Sequence, residues 1–339
     1  MVWHLPRSFL PTSIANAIED IRIRSRQIYI PEPELGYVMR PGLDYHYSRD
    51  EFSFIMTTPL DLNGAGFRGG TLGGVPWAVA VGDSFTFGAG VDREFTWLAR
   101  LSALARREFI NLGVSGYGPQ QYTRSLERYG LPLNPRIVLY CLFTNDLRDS
   151  LQFERRLREG PPRFSVKDLL QEYSVTYNLV HAIRANHQKG KKFVNIEDVG
   201  LTLSVRKLRD EIIEDSKRLP KASIIIEREI DRAVADSSTA KASFVLLYFP
   251  SKEEVYWDLI KTKIDGIEEL DDRFDQLRKS TAAFCRSRRI RCLDLTPALR
   301  RTAVKREKVY FSIDSHWNTL GHEIVAEEVY RFLVDEALL

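Results

Sequence analysis

Cysteine, metal-ligand spacing and charge of one sign are what this sequence has least of. Its three cysteines, Cys141, Cys285 and Cys292, are an odd number. Apolar surroundings suit them as reduced thiols that pack like small hydrophobes, so no disulfide framework is indicated. There is no H-x-x-x-H or C-x-x-C, and His4, His46, His181 and His187 show no ligand spacing, so no metal is expected. The formal charge is only +3, with acids and bases interspersed, which leaves no field to gather phosphates. Nucleic acid is therefore not an expected partner. No apolar run reaches the length of a membrane span, and MVWHLPRSFLPTSIANAIED lacks the continuous apolar stretch of a signal peptide, so as written the chain reads as cytoplasmic. G-x-x-x-x-G-K-[ST] is absent. Gly64, Gly66 and Gly69 satisfy G-x-G-x-x-G but lead into a strand instead of opening a helix, so no cofactor is implied.

What is present is an ordinary globular composition, 44% hydrophobic over 339 residues, enough for one large core with additions. Residues 1–75 have no strong period and read as an N-terminal extension packed on the main domain, with turns at Pro31, Pro33 and Pro41. From residue 76 to 339 the pattern is regular. Strands are expected at 77–83, 108–112, 136–143, 243–249 and 290–295. They alternate with helices at 95–107, 119–129, 252–264, 270–288 and 319–337. That alternation predicts α/β class, a five-stranded parallel sheet covered on both faces. Residues 151–240 interrupt the rhythm with helical pieces at 167–184, 203–218 and 224–235, and read as an all-helical insertion. Because the insertion follows a strand's carboxyl end, it should overhang the edge where open α/β sheets place their chemistry.

Trp77 to Gly90, WAVAVGDSFTFGAG, reads as a buried strand, a turn and a helix start, which puts Ser84 at that edge. Three later segments supply what a serine needs. Asn111-Leu-Gly113-Val-Ser115-Gly116 follows the second strand, Asn145-Asp146 follows the third, and Asp314-Ser-His316-Trp-Asn318 precedes the last helix. A serine hydroxyl is a weak nucleophile without an adjacent base. Histidine titrates near neutrality and suits His316 to that role, with Asp314 to hold its tautomer. Backbone N–H groups at Ser84 and Gly116 and the Asn145 amide could receive the oxyanion. Asp146 reads as a loop brace, His322 as exposed or capping, and Lys252 as a solvated residue at a helix start.

With these residues the chain resembles the SGNH hydrolase superfamily, also called the GDSL esterase/lipase group, over Trp77–Ser150 and Ser243–Leu339. The resemblance implies a three-layer α/β/α flavodoxin-like sandwich, a Ser84–His316–Asp314 triad, an oxyanion hole of Ser84, Gly116 and Asn145, and no metal. It also implies ester or acyl-transfer chemistry. PELGYVMRPG, GFRG, NLGVSGYGPQQ and the D-x-H-W-N ending look like a bacterial branch of polysaccharide-modifying esterases and acetyltransferases. The terminal block is D-x-H where D-x-x-H is usual, and Phe143-Thr144 stand before Asn145 where G-x is common.

The expected function is a serine esterase or deacylase acting on an acyl ester of a carbohydrate or small molecule. An acyltransferase with the same acyl-enzyme is the alternative. A non-catalytic carbohydrate-binding module is the third reading, against which stands the presence of every triad and oxyanion residue.

Overall fold

Residues 28–67 form three antiparallel hairpins. β1 (Tyr29–Glu32) pairs with β2 (Gly36–Met39), β3 (Asp44–Ser48) with β4 (Ser53–Thr57), and β5 (Leu60–Leu62) with β6 (Ala65–Phe67). This computed structural model describes Glu19 and residues 28–49, 51–69, 74–160, 193–196, 199–264 and 266–339. Pro33 and Pro41 lie in turns as expected, but Pro31 sits inside β1 opposite Tyr37. A two-stranded ribbon has a free edge, where a residue without N–H leaves no ladder bond broken. Asn63 and Gly64, at φ 54° and 84°, make the tight β5–β6 turn, so the glycine pattern at 64–69 belongs to a hairpin.

The body begins with β7 (Ala78–Val81), α1 (Ser84–Phe87), α2 (Trp97–Ala105), β8 (Phe109–Asn111), α3 (Pro119–Ser125), β9 (Ile137–Phe143) and α4 (Asp146–Glu159). It continues through β10 (Phe193–Ile196), β11 (Leu201–Ser204), α5 (Val205–Thr239), β12 (Ser243–Phe249), α6 (Lys252–Ile260) and α7 (Gln276–Arg288). β13 (Arg291–Asp294), α8 (Thr296–Ala303) and α9 (Thr319–Asp335) complete it. The five-stranded sheet runs β13-β12-β9-β7-β8 with every pairing parallel. In chain order of its own strands this is the 2-1-3-4-5 flavodoxin-like arrangement, whose switch point lies between β7 and β9.

Alternation along β7 shows how the layers are made. Ala78 and Ala80 face a cluster with Trp97, Leu101, Val325 and Val329 of α2 and α9, whereas Val79 and Val81 face one with Tyr122 and Leu126 beside α3 and Ile226 and Ile230 of α5. The second cluster also takes Val38, Phe54 and Phe67 from the N-terminal hairpins.

Between β9 and β12 the structure departs from an all-helical reading. Residues 193–204 form the β10–β11 hairpin, while the expected helix at 167–184 lies outside the described residues. The pieces expected at 203–218 and 224–235 are one helix, α5, which runs through Pro220. Proline there removes one i→i−4 hydrogen bond, but Ala222, Ile226, Ile230 and Ala233 are buried on the sheet and hold the helix in register. The second half of α5 is thus one of the layers covering the sheet.

The thiol reading is corrected as well. Cys285, near the end of α7, and Cys292, in β13, are joined in a disulfide with Cα atoms 6.3 Å apart, while Cys141 is free and buried. The helix reverses directly into the strand, and that return brings two cysteines seven apart within bonding reach. The bridge joins α7 to the outermost strand of the sheet, with Cys292 opposite Leu246 in the middle of β12. Replacing both cysteines by serine should lower the stability measured by urea titration by about 2 kcal/mol, the scale of a short closed loop, with ester hydrolysis unchanged. An unchanged urea midpoint would show that the bridge contributes nothing.

Candidate active site

Ser84 is the first residue of α1, directly beyond β7 at the switch point. Asp83 caps this short helix, its Oδ1 accepting the Phe85 N–H at 2.9 Å. Gly82 is required by closeness, since a Cβ there would meet Thr86 Oγ1 at 2.1 Å. His316 Nε2 lies 2.7 Å from Ser84 Oγ, and His316 Nδ1 lies 2.6 Å from Asp314 Oδ1. The same Asp314 oxygen accepts the backbone N–H of His316 at 2.9 Å. An aspartate accepting from the N–H two residues on is an Asx turn. That turn is what lets D-x-H bring the carboxylate to the ring with one fewer residue than D-x-x-H. Burial raises the Asp314 pKa, but hydrogen bonds and charge from His316 outweigh it and hold the carboxyl below its ordinary range. Asp314 is therefore ionised at neutral pH, Nδ1 carries a proton, and Nε2 is free to accept the Ser84 hydroxyl hydrogen. Phe85 packs under the imidazole with ring centres 4.9 Å apart and is itself backed by Phe143 and Trp317.

Gly116 has φ 80°, a left-handed conformation that disfavours side chains, and a Cβ there would stand 2.7 Å from the Tyr37 hydroxyl. Tyr37 donates to Ser115 O at 2.8 Å, so the β2 strand braces this turn. Asn111 ties the second block to the first: its Nδ2 donates to Thr86 O at 2.7 Å and its Oδ1 accepts the Gly113 N–H. Asn145 opens α4, yet its side chain makes no cap hydrogen bond, and its buried Oδ1 has no partner among the described residues. A capping role for that side chain is not what the structure shows. Thus Ser84, His316 and Asp314 are in direct contact, Gly116 lines a cavity of about 720 Å³ with Tyr37 and Arg156, and Asn145 lines one of about 250 Å³ with Ser315 and Glu211 of α5.

Three neighbours differ from expectation. Lys252 is buried, and its ammonium donates to Phe311 O and Ser312 O at 3.0 and 3.1 Å, because the loop before Asp314 lies outside any strand and its carbonyls take partners from other segments. His322 is buried, not exposed, and its Nδ1 accepts the Trp97 N–H at the start of α2. Burial, with the charges of Arg68, His316 and Arg100, pushes its pKa down to about 3, so it stays neutral. Asp83 reads in the sequence as loop punctuation, but it is a buried acid whose pKa burial pushes up to about 6. Asp146 is the brace expected of it, accepting from Tyr122 Oη at 2.8 Å and Phe143 N at 2.9 Å. Among the described residues no group of three or more His, Cys, Asp or Glu side chains could hold a metal ion, and no helix is long and apolar enough to cross a membrane.

Residues 80–324 match the sequence profile of the GDSL-like Lipase/Acylhydrolase family. The chain belongs to that family. The matched span includes the G-D-S stretch at Gly82–Ser84. No curated protein matches this GDSL-family chain. Among solved structures, a putative lipolytic protein of the G-D-S-L family from Desulfitobacterium hafniense is 15% identical with a TM-score of 0.43, over 76% of this chain and 98% of that one. A catalytic mutant of an acetylxylan esterase from Geobacillus stearothermophilus is 12% identical with a TM-score of 0.41, over 78% and 96%.

Two outcomes are expected from this geometry. Asn145→Ala should lower kcat by roughly 10² to 10³-fold, the scale of one lost oxyanion donor, with an unchanged melting temperature because the side chain caps nothing. A loss of stability in proportion to the loss of rate would instead assign Asn145 a structural, helix-capping role. For Asp83 the folded-state pKa is raised, so the cost of its charge is present above about pH 6 and fades as the pH falls through that value. Asp83→Asn should therefore raise the urea midpoint at pH 8 and give little gain at pH 4.5. Equal effects at both pH values would contradict the buried-acid assignment.

Proposed function

We propose that this GDSL-family protein is a serine esterase that hydrolyses an acyl ester of a carbohydrate or small molecule through an acyl-enzyme on Ser84. The continuous Ser84–His316–Asp314 hydrogen-bond relay, 2.7 and 2.6 Å long, is the observation that carries the reading. Ser84 Oγ attacks the acyl carbonyl carbon as His316 Nε2 takes its proton, and Asp314 stabilises the imidazolium without taking a proton itself. The carbonyl electrons move onto oxygen, where the N–H groups of Ser84 and Gly116 and the Asn145 amide stabilise the oxyanion. Collapse of the tetrahedral adduct breaks the ester C–O bond, and His316 returns the proton to the departing alkoxide. Water then repeats the sequence on the acyl-enzyme and releases the carboxylic acid.

A second reading, transfer of the acyl group to a hydroxyl acceptor, draws on the cavity beside Asn145. Its wall combines Arg148, Glu211, Asp215 and Arg218 with Phe274, a mixture of charged groups and an aromatic face suited to a polyol. The hairpin β10–β11 and the first half of α5 serve here as the acceptor platform or lid. Support comes from Thr202, whose N–H donates to Ser312 O two residues before Asp314. The Cys285–Cys292 bond, of a kind that persists in oxidising surroundings, favours a working compartment outside a reducing cytoplasm.

Turnover of p-nitrophenyl acetate and longer acyl esters, with and without sugar acceptors, tests the assignment. Hydrolysis that disappears in Ser84→Ala is the expected result, and undiminished turnover by that variant would overturn it. Acylated sugar formed faster than free acid would establish transfer in place of hydrolysis.

A further inference from the structure

The segment from Phe311 to His316 has no regular secondary structure, yet it must aim Asp314 to within tenths of an ångström. Backbone groups in such a segment take their partners from elsewhere. Its carbonyls are met by Lys252 and by Thr202. Its N–H groups at Ile313 and Asp314 are met by one oxygen: Glu51 Oε2 accepts both, at 2.7 and 2.6 Å. Glu51 lies at the tip of the β3–β4 hairpin, more than 260 residues away in the chain. The neighbouring Phe52 packs tilted against Phe311 with ring centres 4.6 Å apart, and Gly90 leaves room beneath, since a Cβ there would lie 2.5 Å from the Phe311 ring. Two adjacent N–H groups converging on one carboxylate oxygen make a charge-assisted anchor that sets the plane of the Ile313–Asp314 peptide. With a single residue between Asp314 and His316, that plane decides where the Asp314 carboxylate points.

We propose that Glu51 is a positioning residue of the active site, which makes the N-terminal hairpin a working part of the catalytic machinery. The inference rests on the Ser84–His316–Asp314 reading. Glu51 touches no reacting atom and acts only through Asp314. Its loss removes the aim of the triad acid while leaving the substrate cavities intact.

The test is a cycle of Glu51→Ala, Asp314→Asn and the double variant, with kcat, KM and melting temperature measured for each. Glu51→Ala should lower kcat by about 10 to 100-fold with KM nearly unchanged, the scale of a misplacement of roughly 1 Å. In the Asp314→Asn background the same change should add almost nothing, because there is no longer a carboxylate to aim. An equal further loss in that background would reduce Glu51 to general scaffolding and overturn the proposal, as would unchanged kcat in a folded Glu51→Ala protein. Should the alanine variant not fold, Glu51→Gln and Glu51→Asp decide the matter. Glutamine keeps the reach and an accepting oxygen and should retain most activity, whereas aspartate keeps the charge but falls short and should lose it. Aspartate equal to or better than glutamine would overturn the idea. Normal turnover by both Ser84→Ala and Asp314→Asn would instead defeat the underlying triad reading, an outcome distinct from any result at position 51.

Discussion

The 2.6 Å contact between Asp314 Oδ1 and His316 Nδ1 is the constraint on which the rest of the site depends. An imidazole can accept a serine proton only if its other nitrogen already holds one and points away, and Asp314 imposes both conditions. Because the same oxygen also accepts the His316 N–H, the residue between them has little freedom, and the orientation of Asp314 passes straight into that of the ring. Mixed pKa influences agree with this. Burial works against the Asp314 charge, and His316 restores it.

The fold supplies the remaining geometry by layering. β7 ends at the switch point between β7 and β9, so Ser84 emerges where the strand order reverses and open α/β sheets leave a crevice. Asn145 leaves β9 on one side of it. The histidine comes from the far end of the chain, on a loop that α9 anchors: Asn318 caps this helix at Gly321 N and bonds Lys308 O through its amide. Hairpin, α6 and β11 then each contribute hydrogen bonds to the same short loop. Segments that differ widely in sequence position converge there because, although the Phe311 N–H bonds His316 O across the base of the loop, the backbone groups at Ser312, Ile313 and Asp314 take their partners from other segments.

Much of this was legible in the residues. SFVLLYF, an unbroken apolar run ending at Pro250, gives β12 with its boundaries, and the apolar stripe after Asn318 gives α9. The site blocks were legible too, since each carries its chemistry in a few adjacent residues, at a strand end for Ser84, Gly116 and Asn145 and before the last helix for Asp314 and His316. What was hidden depended on distant partners. Lys252 in PSKEEV looks solvated until the carbonyls of Phe311 and Ser312 are placed against it. Glu51 is one acid in a polar turn, with nothing local to mark it. FVNI and LTLS are too short to outweigh the polar residues around them, and Pro220 signals a break that burial on the sheet overrides. The Cys285–Cys292 bridge was obscured because each cysteine alone fits an apolar run.

The central claim is that the acyl group passes through Ser84, and the intermediate itself is the most direct object to measure. Rapid acid quenching of the protein during turnover of p-nitrophenyl acetate, followed by peptide mass mapping, reads where the acetyl group resides. The account predicts one acetyl group, on the peptide containing Ser84, appearing within the first turnover and disappearing as substrate is exhausted. Acetyl on any other residue, or full turnover with no covalent adduct at any quench time, would contradict it.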